Sequence, residues 1–150
     1  MANLDAVGTV GETYVLDVER GKIREFARAT RSDNPAYLER ETPVSPPTFL
    51  TVTNLWQPPA GNPWEAAAEL DGRRVLHAEQ QYEFFGPPPA AGTRLQCTSR
   101  IADMYVKKGR RGGALTFVVM VTDFVDEEGV LVARSTMTGV ETAHATKEES

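Results

Sequence analysis

The densest run of groups able to bind a polar substrate or move a proton is Ser32-Asp33-Asn34-Pro35-Ala36-Tyr37. Asp33 is the one carboxylate in it that could act as a general base. Ser32 and Tyr37 are poor bases near neutral pH, since a tyrosine hydroxyl titrates near about 10. Asn34 is suited to tying the turn to itself through its side-chain amide. The plainer alternative is that the run only stops a helix. A second group is His77, one of two histidines in the chain. It is either a surface residue or a functional one. A third is the basic cluster Lys107, Lys108, Arg110 and Arg111, either a solvated hairpin tip or a lip that steers an anionic partner. The run Gly109 to Gly113 lacks the spacing of a phosphate-binding loop. Neither histidine has a second ligand at metal spacing, so no metal site is expected.

The turn needs a rigid element to hold it. Val18 to Tyr37 supplies one: Ile23, Phe26, Ala27 and Thr30 form a single apolar stripe at helical spacing. Asp17 is a candidate N-cap, and the helix is expected to stop near Ser32, because the residue before Pro35 is pushed out of the helical region. Ahead of it, residues 1 to 10 read as a loose lead-in and Glu12 to Leu16 as a short strand. Glu39 to Pro47 is a loop forced by its prolines. Thr48 to Trp56 reads as a strand by its Thr, Val and Phe content, although its length also permits a helix. Pro58 to Pro63 is irregular, and Trp64 to Leu70 is a short helix by propensity.

From Arg74 onward the pattern is strand. Val75 to Phe85 alternates, placing Leu76, Ala78, Tyr82 and Phe84 on one face and His77, Glu79, Gln81 and Glu83 on the other. Arg94 to Val106 alternates until the phase changes near Ala102, which predicts a bulge. Lys107 to Gly113 is a hairpin loop. Ala114 to Val125 is apolar on both faces and so belongs in the middle of a sheet. Asp126 to Gly129 is a turn, Val130 to Glu141 the last strand, and the tail after Thr142 is polar and expected to be disordered. A helix followed by antiparallel strands is an α+β pattern.

At 150 residues the chain fits one domain, with an ordered core over about residues 10 to 142. A hydrophobic content of 41% and a charged content of 25% are ordinary for a soluble globular protein. A net charge of -5 argues against nucleic acid as a partner. No apolar run is long enough to span a membrane, and the N-terminus lacks the pattern of a secretory signal. The single Cys97 fits a reducing compartment and a buried strand position. These features predict a cytoplasmic protein.

The helix and its turn resemble the MaoC-like dehydratases and (R)-specific enoyl hydratases of the hotdog superfamily. Catalytic members carry Gly-Asp-x-Asn-Pro-x-His after this helix. Aligned on Asn34-Pro35, Ser32 stands at the aspartate, Tyr37 at the histidine and Arg31 at the glycine. Asp33 is one residue out of register. Further similarity lies in Pro46-Pro47-Thr48-Phe49, in Leu76-His77-Ala78-Glu79-Gln80 and in Gly109 to Phe117. The missing pair resembles the non-catalytic, FAS1-like dehydratase domain of the family.

The resemblance implies a single hotdog domain, an antiparallel sheet wrapped around a helix, pairing with a second such unit. It implies a substrate-binding subunit of a (3R)-hydroxyacyl-thioester dehydratase or enoyl hydratase of fatty acid or lipid elongation. The thioester would be carried by acyl carrier protein or coenzyme A. A MaoC-like catalytic chain would complete a heterodimer; alone, the chain would form a homodimer. No cofactor is implied. Ser32, Asp33, Asn34, Tyr37, Pro47, Thr48, Phe49 and His77 become substrate-binding candidates, with Trp56 and Trp64 flanking the groove or only packing. Lys107, Lys108, Arg110 and Arg111 become candidates for contact with the carrier or with coenzyme A phosphates. No catalytic residue is expected unless Asp33 serves. Two rivals stand beside this reading: a self-sufficient homo-oligomeric hydratase or thioesterase with Asp33 or His77 as base, and an acyl-thioester-binding module without chemistry.

Overall fold

The computed structural model describes residues 2–64, 68–110 and 112–143. Strand β1 (Tyr14–Asp17) leads into helix α1 (Arg20–Ala29) and a single helical turn, α2 (Pro35–Leu38). A 3₁₀ helix spans Phe49–Leu55. Four long strands follow: β2 (Val75–Phe84), β3 (Arg94–Lys108), β4 (Ala114–Val125) and β5 (Leu131–Glu141). With β1 they form one antiparallel five-stranded sheet in the order β1-β3-β4-β5-β2. β4 holds the centre, as its two apolar faces predict. The fold is α+β, a hotdog in which the sheet curls around the Phe49–Leu55 helix.

That helix was expected as a strand. Its buried residues are Phe49, Leu50, Val52 and Thr53, spaced so that 49 and 52, and 50 and 53, share a side. This is the three-residue repeat of a 3₁₀ helix. The β-branched content that favours a strand is overridden by packing on one face. Phe49 is fully buried and meets the edge of Phe26 at 5.6 Å between ring centroids. Burying such a ring contributes about 2–3 kcal/mol. The main core gathers Leu16, Val18, Ile23, Leu95, Cys97 and Phe124 around it.

Helix α1 is shorter than its apolar stripe. Ile23 and Ala27 are buried, but Thr30 is exposed and its hydroxyl donates back to the carbonyls of Phe26 and Ala27. Asp17 is no cap: it ends β1 and faces Arg94 at 3.5 Å, while Glu19 occupies the N-cap position without a side-chain bond. The lead-in is not loose either. Gly8 and Gly11 donate to Ile101 and Ser99, Val10 bridges Arg100, and Ala6 is buried. Lys107 and Lys108 belong to β3 and not to the hairpin loop. The helix expected over Trp64 to Leu70 lies partly outside the described residues, as do Arg111 and the tail from His144.

Among the described residues the strand register shifts at three places, one of them between Phe124 and Val125 near the end of β4. A second falls at Ala102, as the sequence predicts. The third, between His77 and Glu79, was not expected. It places His77 in register with Gly139, on the same face as Gln80, Tyr82 and Phe84. Strict alternation had put His77 with Glu79 and Gln81. On the inner face the strands then stack in rows: His77, Gly139 and Val118; next Gln80, Met137, Met120 and Ile101; next Tyr82, Ser135, Thr122 and Ser99; last Phe84, Ala133, Phe124 and Cys97. On the outer face Asp123 bridges Arg100, at 2.8 Å, and Arg134.

Candidate functional site

The turn after α1 is built from backbone bonds. The amide of Ser32 donates to Ala27 at 2.8 Å and that of Arg31 to Arg28 at 3.0 Å. Together these make a Schellman motif, which requires a left-handed residue at Arg31. Arg31 adopts that conformation, with φ +56°. Asn34 then caps α2: its Oδ1 accepts from the Ala36 amide at 2.9 Å, and Pro35 takes the first helical position. Ser32 Oγ accepts from the Asn34 amide at 3.4 Å. Asp33 is exposed, and Tyr37 packs half-buried against the main core. The turn therefore places its polar groups in capping and packing positions.

A cavity lies elsewhere, between the inner face of the sheet and the segment after the 3₁₀ helix. Its volume is about 390 Å³. Asn54, Gln57 and Asn62 line one side; His77, Met120 and Met137 line the sheet side. Trp64 also lines it and lies over Gly139, so tightly that a Cβ at Gly139 would overlap the indole. Of the sequence candidates, the bulge brings His77 to this cavity, and Trp64 joins it. His77 Nε2 lies 3.2 Å from the carbonyl oxygen of Glu79.

Ser32, Asp33, Asn34 and Tyr37 do not line it, and neither do Pro47, Thr48 and Phe49. Phe49 is fully buried in the core; Pro47 and Thr48 are exposed. Trp56 is half-exposed beside Val15 and Glu19 in a smaller depression. Lys107, Lys108 and Arg110 are exposed away from the cavity. Lys107 Nζ sits 4.8 Å from the Tyr105 ring centroid, a cation–π contact against the stacked Tyr105–Phe117 pair.

Sequence reasoning missed Asn54, Gln57, Asn62, Met120, Met137 and Gly139. Gly139 carried a signal: a glycine inside a strand marks a close backbone approach. The others became neighbours only through strand register.

Beneath the cavity the side chains are polar and hydrogen-bonded. Ser99 and Thr122 hydroxyls lie 2.8 Å apart. Gln57 donates to Ser99 Oγ at 3.1 Å, and Gln80 to Ser135 Oγ at 2.7 Å. Burial, with the nearby Cys97, pushes the Tyr14 hydroxyl up to about 12, although it bonds Thr53 and Ser99. Burial likewise raises the Tyr82 hydroxyl, which bonds Thr51. These groups are neutral hydrogen-bonding partners near neutral pH. Among the described residues no cluster of His, Cys, Asp or Glu could hold a metal, and no helix is long and apolar enough to cross a membrane.

Sheet, helix and cavity define a hotdog domain of the hydratase and dehydratase type. Residues 5–135 match the model of the FAS1-like, dehydratase domain region, and the chain belongs to that family. A UPF0336 protein from Streptomyces griseus is 34% identical over 144 residues, covering 82% of this chain and 85% of that protein. Among solved structures, a chain of the C-terminally truncated HadBC (3R-hydroxyacyl-ACP dehydratase) complex from Mycobacterium tuberculosis superposes with a TM-score of 0.70. The identity is 24%, over 91% of this chain and 97% of that one. A chain of the ChsH1-ChsH2 complex from the same organism gives 0.66 at 14% identity, over 94% and 88%. Both likenesses are of fold.

Proposed function

We propose that this chain is the non-catalytic, substrate-binding subunit of a (3R)-hydroxyacyl-thioester dehydratase or enoyl hydratase in fatty acid or lipid elongation. The carrying observation is the turn at Arg31–Tyr37. It keeps the Asn-Pro of the family pattern at Asn34-Pro35, where Asn34 caps the next helical turn, yet bears Ser32 and Tyr37 where the resemblance places the aspartate and histidine. Eliminating water across a thioester's α and β carbons needs a base for the α-proton and an acid for the departing hydroxyl. Here the polar groups facing the cavity are side-chain amides and one imidazole, set among apolar walls, and they bind and orient more readily than they exchange protons in pairs. A MaoC-like partner supplies the Asp and His; this chain supplies the cavity wall and half of the sheet. β2 is an edge strand, and pairing with a second unit would cover its unpaired backbone groups.

The test is enoyl hydration, followed by loss of enoyl absorbance with crotonyl-CoA and longer enoyl thioesters. The pure chain is expected to be inactive, and activity to appear on adding a MaoC-like chain. Turnover by the pure chain, abolished by Asp33→Ala, would overturn the assignment in favour of a self-sufficient enzyme. Binding without turnover in both conditions would leave a binding module instead.

A further inference from the structure

The inner face carries one row unlike its neighbours. Tyr82, Ser135, Thr122 and Ser99 stand side by side on β2, β5, β4 and β3, each bearing a hydroxyl. The rows on either side of it carry methionines or a core of Phe and Ala. The cavity described above reaches Met120 and Met137, in the row next to this one. A small separate space of about 20 Å³, lined by Thr51, Gln80, Tyr82, Thr122 and Ser135, shares Asn54, Gln57, Met120 and Met137 with that cavity. It has room for about one water-sized group.

We infer that the cavity ends in a hydroxyl-lined subsite that selects acyl chains carrying an oxygen near their distal end, such as a hydroxyl or ketone. This rests on the acyl-thioester reading above. A hydroxyl has one proton to give and two lone pairs to offer. Ser135 Oγ accepts one bond from Gln80, and Thr122 shares one with Ser99, so both retain capacity for a ligand oxygen. A bare methyl terminus pressed against the row would strip water from these groups and return no hydrogen bond. A terminal oxygen would replace the water it displaces. The methionine row beside it accepts the methylenes that precede, as a flexible apolar wall. The wall that would extend a tunnel for a long alkyl chain is instead the hydrogen-bonded layer of Tyr14, Thr53 and Gln57.

The experiment is calorimetric titration of the full chain with hexanoyl-CoA and with its 5-hydroxy and 6-hydroxy derivatives. The oxygenated chains are expected to bind about 3- to 10-fold more tightly, the worth of one neutral hydrogen bond. Thr122→Val and Ser135→Ala should reduce that ratio toward unity while hexanoyl-CoA binds as well or better. The wild-type ratio needs no variant, so a misfolded substitution leaves the result readable. Equal binding of the pair by the wild type, or a ratio unchanged in both folded variants, would show the row to be internal glue and overturn the subsite. Failure of every thioester to bind would overturn the acyl-thioester reading and the subsite with it.

Discussion

Trp64 lies across Gly139 on the inner face of β5, with no space between them for a methyl group. The indole lines the cavity, and the glycine lets the tip of its six-membered ring approach the β5 backbone. Gly139→Ala is therefore expected to lever the ring outward. Overpacking of this kind costs about 1–3 kcal/mol, and the displaced indole should emit at longer wavelength. In a Trp64→Ala background the same Gly139→Ala change should cost little, because the clash then has no second party. A Gly139→Ala protein with unchanged melting temperature and emission would contradict the packing.

Arg31 holds a left-handed backbone, φ +56°, at the C′ position of α1. That conformation costs a side-chain-bearing residue roughly 1–2 kcal/mol, and glycine adopts it freely. Part of the gain on substitution is returned through the greater freedom of glycine in the unfolded chain. Arg31→Gly is expected to stabilise the protein by about 0.5–1 kcal/mol, read as a higher denaturation midpoint at constant slope. A loss of stability would mean that the arginine side chain makes a compensating contact stronger than the bend's cost.

Arg31 also shows how far the sequence could be read. It aligns with the glycine of the MaoC-like pattern, a residue type suited to the left-handed bend found there, although no bend was expected at it. The strand periodicity of 94–106 exposed the bulge at Ala102, because the apolar phase visibly changes. At His77 no such change was legible: Leu76 and Ala78 are both apolar, so the alternation reads through the bulge, and the histidine was assigned to the wrong face. The Phe49–Leu55 helix was hidden by β-branched residues whose preference yields to packing. The cavity itself is a product of register between β2, β4 and β5, which no single segment encodes.

Cys97 and Tyr14 face each other across β3 and β1, in register and buried. Burial raises the Cys97 thiol from 9.0 to about 12. Burial, and then the nearby thiol, raises the Tyr14 hydroxyl from 10.0 to about 12. Each group therefore holds its proton more firmly folded than unfolded. Their contribution to stability is fully present below the unfolded values and is lost as pH rises through the folded ones. The melting temperature should accordingly hold up to about pH 9 and fall steadily toward pH 12. The double variant Cys97→Ala, Tyr14→Phe should show a shallower fall over the same range. The thiol should also resist alkylation at pH 8, since its thiolate fraction is on the order of a thousandth of that of an ordinary cysteine. Rapid labelling of Cys97 in protein with an intact circular dichroism spectrum would place the thiol at the surface and refute the buried pair.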